Sequence, residues 1–118
     1  MFDEQLQRLV TLTPGATGAI LADWEGEYVA IYCLYDEYDL KVIAAHKGII
    51  LAQMREIHDQ LAPGELNEAV IATPTQYLIT GAITRDYSLV MTLERNKVLG
   101  RALYSFRKCV EELRKEIE

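Results

Sequence analysis

From Tyr38 to Leu61 the chain has no proline, and Gly48 is the only weak helix former in that stretch. The first stop signal is Ala62-Pro63-Gly64. Asp36, Glu37 and Asp39 crowd the start, where acidic side chains cap orphan backbone N–H groups and oppose the positive end of a helix dipole. The pattern predicts one long central helix of about six turns, beginning near Tyr38 to Leu40. Projected at about 100° per residue, Leu40, Ile43, Ala44, Ile50, Leu51, Met54, Ile57 and Leu61 share one broad face. That face is expected to cover the protein's own sheet. Lys47 and His58 fall on it too and fit only if the lysine stem snorkels outward and the histidine lies where the helix leaves the sheet.

The opposite side of this helix carries the more informative pattern. Val42, Ala45, Ile49 and Ala52 follow a 3-4-3 spacing beside Gly48, and the seam then becomes charged at Glu56 and Asp59. A helix packed on one sheet needs a single apolar stripe, and small residues are what close helix approach requires. The second stripe predicts a partner helix. The plainer reading is that other elements cover it, or that its small residues stand in water as good helix formers.

The remaining segments alternate in character. Phe2, Leu6, Leu9 and Val10 recur at helical spacing until Pro14-Gly15, which predicts a short first helix. Thr17 to Asp23 and Tyr28 to Leu34 read as two strands joined by the turn Trp24-Glu25-Gly26-Glu27. Leu66 to Thr73, Gln76 to Thr84 and Ser88 to Glu94 read as three more, separated by Pro74-Thr75 and Arg85-Asp86-Tyr87. Val98, Ala102, Phe106, Cys109, Leu113 and Ile117, widened by Leu99, Leu103 and Val110, form the stripe of a long last helix. The expected fold class is α/β in the order α-β-β-α-β-β-β-α, a five-stranded antiparallel sheet with helices on its faces. With 118 residues, no repeat and no linker, one domain spanning 1–118 is expected.

Half of the residues are hydrophobic and a quarter charged, which is a globular balance. Twelve basic residues against eighteen acidic ones give a formal charge of -6, which disfavours nucleic acid and anionic lipid as partners. No apolar run approaches the ~18 residues of a membrane helix, and Met1 to Leu6 lacks the basic and apolar regions of a secretion signal. A cytoplasmic protein without membrane insertion is expected. Cys33 and Cys109 have no second Cys or His at ligand spacing and read as ordinary buried thiols.

Signs of catalysis are weak. Gly15-Ala16-Thr17-Gly18 lies between a helix and a strand, whereas phosphate loops run from strand to helix, so it reads as a tight turn dropping the first helix into the sheet. His46 and His58 point about 120° apart on the central helix and cannot share a metal on one turn. Asp23, Glu25 and Glu27, like Asp36, Glu37 and Asp39, fit solvated turns and a helix start better than a cation site. Ser88 and Ser105 have no nucleophile elbow around them. The seven tyrosines, spread along strands and turns, lack the basic interleaving that base stacking needs. No catalytic residue, cofactor or metal is assigned, and a non-catalytic interaction domain is expected. A small-ligand sensor is the alternative, since a sheet flanked by helices also suits a pocket.

Several strings together resemble one family: Leu9 to Leu12 followed by Pro14-Gly15-Ala16-Thr17-Gly18-Ala19, then Asp23-Trp24-Glu25-Gly26-Glu27, Ala62-Pro63-Gly64-Glu65, and Asn96 with Gly100-Arg101 opening the last helix. The chain resembles a roadblock-type (dynein light chain) domain of the branch that regulates small GTPases, the mutual gliding protein B type. The resemblance implies a profilin-like sandwich with the long central helix on one face and the terminal helices on the other. It also implies a homodimer whose central helices lie side by side and whose edge strand, carrying Leu66, Glu68 and Val70, pairs with its copy. Val42, Ala45, Ile49 and Ala52 would then meet their twins. It further implies a small Ras-like GTPase as partner, facing Lys41, Ala45, Ile49, Gln53 and Glu56, with the chain acting as adaptor or regulator. No arginine finger is assigned, because Arg55 and Arg101 read as surface helix residues.

Overall fold

The computed structural model of the protein describes residues 2–23, 27–45 and 67–117. The elements are α1 (Phe2–Leu12), β1 (Ala16–Asp23), β2 (Tyr28–Cys33), a helix α2 described over 37–45, β3 (Glu68–Ala72), β4 (Gln76–Ala82), β5 (Tyr87–Glu94) and α3 (Leu99–Ile117). This is the order expected from the sequence. Each predicted strand ends within a residue or two of its expected bounds, and α2 starts one residue early, at 37. The residues expected to continue the central helix, from His46 to Leu61, lie outside the described residues, as do Ala62-Pro63-Gly64 and Leu66.

All five strands form one antiparallel sheet in the order β2-β1-β5-β4-β3. The two predicted strand groups are thus joined at the centre, where β1 pairs with β5 over Ala16 to Asp23. Alternation along these central strands divides the core into two layers. Ala19 and Leu21 of β1 and Leu89, Met91 and Leu93 of β5 pack with Leu6, Leu9 and Val10 of α1 and with Ala102, Phe106, Cys109, Val110 and Leu113 of α3. The intervening Ile20 and Val90 point the other way and pack under Leu40 and Ala44 of α2. The terminal helices therefore share one face and α2 lies on the other, as the profilin-like sandwich requires.

Local chemistry sets the junctions. Gly15, with φ of 86°, makes the turn after α1 that only glycine enters without strain, and Lys97 lies against it so closely that no Cβ fits. Asp36 caps α2: its Oδ1 accepts a 2.9 Å bond from the Tyr38 N–H, and its backbone oxygen accepts from Asp39. The Asp23 carboxylate accepts from the Glu27 N–H at 3.0 Å, so that acidic residue of the first hairpin serves the turn. Arg107 clasps Glu68 with Nε at 3.0 and 3.1 Å from the two carboxylate oxygens, tying α3 to the start of β3. Arg114 Nε donates to the Ile83 carbonyl at 2.8 Å and tethers α3 beyond β4.

Two bulges change where side chains point. Thr17 is the extra residue between Ala16 and Gly18 in the β1–β5 ladder. Val29 is the extra residue between Tyr28 and Ala30 in the β1–β2 ladder. The second bulge reverses the alternation of β2, so that Tyr28 lies on the α2 side, where the Lys41 ammonium stands 4.0 Å from its ring centroid. A strict two-residue period over Tyr28 to Leu34 would have placed Tyr28 with Ala30 on the opposite face.

Candidate functional site

The residues assigned from sequence to an interface divide between α2 and β3. On α2, Leu40 and Ala44 are buried against the sheet, while Val42 is 38% exposed on the side turned away from it. Ala45 and Lys41 are half-buried beside it. Tyr38, one turn before Val42, is 70% exposed and extends the same outward face. The sequence reading stopped the apolar seam at Val42, because Tyr38 falls among the acids of the helix start. The i, i+4 relation to Val42 was the signal that could have found it. Ile49, Ala52, Gln53 and Glu56 lie outside the described residues.

β3 is an edge strand. It pairs with β4 from Glu68 to Ala72, and its other side meets no strand among the described residues. Val70 is 38% exposed there. Glu68 is held by Arg107 of the same chain, so its carboxylate is already engaged. Such an edge presents a row of backbone groups available to a further strand. At the far side of the sheet β2 is the second edge, with Tyr28 and Val29 each 47% exposed.

A polar cluster that the sequence did not announce lies under the start of α2. The Thr92 hydroxyl is 2.7 Å from that of Thr17 and 3.1 Å from that of Tyr35. Gly18 leaves the space: a Cβ there would stand 3.0 Å from Leu40, 3.1 Å from the Cys33 sulfur and 3.4 Å from the Tyr35 ring. Partial burial raises the pKa of both Cys33 and Tyr35, and the hydrogen bond between them acts in opposite directions, lowering that of Cys33 and raising that of Tyr35. Cys33 was expected to be an ordinary buried thiol and is only half-buried, on the edge strand β2. Cys109 is buried as expected, and burial pushes its thiol up to about 12. Isolated Thr and Tyr residues carry no sequence signal for such a network, since it depends on the Thr17 bulge.

Tyr38 and Tyr104 also depart from the expectation that the tyrosines lie on strands and turns. Both stand on helices, each 70% exposed. Arg101 is exposed on α3, as read from the sequence. Among the described residues no three His, Cys, Asp or Glu side chains lie close enough to hold a metal ion. Among them, too, no helix is long and apolar enough to cross a membrane. A groove of about 240 Å³ separates α1 from α3, and one of about 250 Å³ lies between α3 and the β3–β4 hairpin. Both are bordered by charged side chains.

No protein-family model and no curated protein matches the chain. Solved structures do. The Roadblock/LC7 domain from Streptomyces avermitilis superimposes with a TM-score of 0.88, covering 98% of this chain and 96% of that one at 17% identity. The chain has the fold of a Roadblock/LC7 domain. An MglB structure with a tetrameric arrangement shares this roadblock fold at a TM-score of 0.86 and 20% identity, over 97% of this chain and 85% of that one. Acanthamoeba castellanii profilin IB, at a TM-score of 0.69 and 15% identity, is covered completely and covers this chain completely. The roadblock sandwich is therefore also profilin-like, as the sequence resemblance implied. At these identities the likeness is one of fold.

Proposed function

We propose that the chain is a self-associating adaptor or regulator that binds a small Ras-like GTPase and has no catalytic centre of its own. The observation that carries this reading is the outward face of α2. Leu40 and Ala44 are buried in the core on that side of the sheet, yet Tyr38 and Val42 present apolar surface to solvent one turn apart. In the sequence the same stripe continues through Ala45, Ile49 and Ala52. The fold likeness to an MglB described in a tetrameric arrangement supports self-association.

In this reading Val42, Ala45, Ile49 and Ala52 form the helical seam between copies. The β3 edge, with Leu66, Glu68 and Val70, joins the two sheets by adding strand to strand. The GTPase faces Lys41, Ala45, Ile49, Gln53 and Glu56. The whole of residues 1–118 acts as one roadblock-type domain in the cytoplasm. Glu68 takes part through its backbone, because Arg107 holds its side chain.

The test is multi-angle light scattering and affinity capture with the wild type, Val42→Glu and Ile49→Glu. The wild type is expected to run as a dimer or larger and to capture a small GTPase whose binding depends on its nucleotide. Both variants are expected to lose the dimer. A wild-type monomer, or a variant that keeps the wild-type oligomer, removes the seam; captures that contain no GTPase remove the partner.

A further inference from the structure

Residues 95–110 contain Arg95, Lys97, Arg101, Arg107 and Lys108 and no acidic residue, in a chain whose formal charge is -6. Arg107 is taken by Glu68, but the first three stand together where β5 gives way to α3. The Lys97 N–H donates to the Glu94 carbonyl at 3.3 Å and closes a turn, and the Ala102 N–H donates to the Val98 carbonyl at 3.4 Å as the helix begins. Arg95, Lys97 and Arg101 are all exposed on the resulting knuckle. They form no ion pair among the described residues.

The field around this knuckle is positive. Glu94 is the single acid in 94–101, and it points to the α2 side of the sheet, whereas Arg95 lies on the other side over Tyr77. The turns beside it, 11–15 and 73–76, contain no acid. They are its neighbours because the Glu94 N–H donates to Gly15 and Gln76 pairs with Glu94. Along α3 the first acid is Glu111, about 15 Å from Arg101 at 1.5 Å per residue. Asp36, Glu37 and Asp39 stand at the head of α2, on the opposite face of the sheet. Charges separated by more than about 8 Å are largely screened at physiological ionic strength, so the three cations govern what binds here.

Two of the three cations are already held in place. The Arg95 guanidinium stands 4.5 Å from the centroid of the Tyr77 ring, and the Lys97 stem packs so closely on Gly15 that no Cβ fits there. Side chains ordered before a ligand arrives lose little freedom on binding. A broad polyanion such as a bilayer would also meet the acids of the α2 head and the negative field of the whole chain, whereas a short segment meets the knuckle alone.

We propose that the knuckle formed by Arg95, Lys97 and Arg101 is a docking site for an acidic segment of a partner protein. Carboxylates of the segment pair with the three cations. The site is separate from the α2 seam and the β3 edge and does not depend on self-association.

Peptide-display selection on the immobilised full chain tests this, followed by fluorescence anisotropy with the enriched peptides. The expected enrichment is for sequences with two or more Asp or Glu residues close together. The double variant Lys97→Glu, Arg101→Glu is expected to bind them at least about tenfold more weakly. It is expected instead to bind the same peptides with Lys in place of each acid, which the wild type does not, and this gain also shows that the variant is folded. Arg8→Glu, Lys108→Glu makes the same change in net charge away from the knuckle and is expected to leave the affinity within about twofold of the wild type. Failure of any sequence to enrich, enrichment of sequences without acids, equal binding by wild type and the Lys97, Arg101 variant, or an equal loss in the Arg8, Lys108 variant overturns the site. So does displacement of the peptides by phosphatidylserine vesicles or by a DNA duplex.

Discussion

The ring of Phe106 fills the space in front of Gly81 where a side chain would begin. A Cβ built at position 81 would stand 2.8 Å from Cε2 of that ring and 3.1 Å from Cζ. Phe106 is itself fully buried, in the layer between the sheet and α3, so the ring has no solvent into which to retreat. Gly81→Ala is expected to cost about 1–3 kcal/mol, the usual range for an overpacked core. Urea unfolding would show it as a lower midpoint with an unchanged slope.

Tyr35→Phe keeps the ring under α2 and removes one hydroxyl. Thr92 then keeps its 2.7 Å bond to Thr17 and loses the 3.1 Å bond to Tyr35. The expected loss is about 1 kcal/mol, the net worth of a hydrogen bond at a partly buried site. Thr92→Val is expected to cost more, since Thr92 is fully buried and its hydroxyl serves both Thr17 and Tyr35, leaving Thr17 only its 3.3 Å bond to the Thr92 carbonyl. Thermal unfolding of both variants ranks the two losses, and equal losses would deny the network.

Asp36→Ala deletes the side-chain acceptor for the Tyr38 N–H. Loss of such a cap costs about 1 kcal/mol. Asp36→Asn, which can still accept that bond, is expected to recover most of the loss. Circular dichroism melts of the pair separate capping from simple loss of charge.

Cys109 gives the protein a pH dependence in the alkaline range. Burial first, and Glu112 second, raise its thiol from 9.0 to about 12, with Arg8 acting weakly in the opposite direction. A folded-state pKa above the unfolded one favours the neutral native thiol. Its contribution to stability is complete below about 9 and is lost as pH rises toward about 12. Cys109→Ala is therefore expected to flatten the fall of stability over that window relative to the wild type, as read by urea midpoints at successive pH values. The thiol is also expected to react with a disulfide reagent only on unfolding.

How far the fold could be read from the residues depends on the range of each interaction. Leu6, Leu9 and Val10, or Ala102, Phe106, Cys109 and Leu113, declare their helices because a helix face is written within one stretch of chain. The three C-terminal strands were legible for the same reason, as runs of β formers separated by Pro74-Thr75 and Arg85-Asp86. The sheet order was not, since the pairing of Ala19 with Met91 leaves no local trace. Tyr28 and Thr17 were placed by bulges, and a bulge breaks the period on which the reading rests. Of the site, the buried Leu40–Ala44 side and the outward Val42 of α2 were both readable as helical stripes. Tyr38 was hidden among acids.

The central position of β5 bears on how the chain is made. Emerging from a ribosome, the first hairpin has β1 open along one flank until Glu94 has been added, because β5 alone fills that place. Its exposed ladder must therefore wait through the synthesis of some sixty further residues, a delay that suits capture by a chaperone and makes truncated products prone to stick.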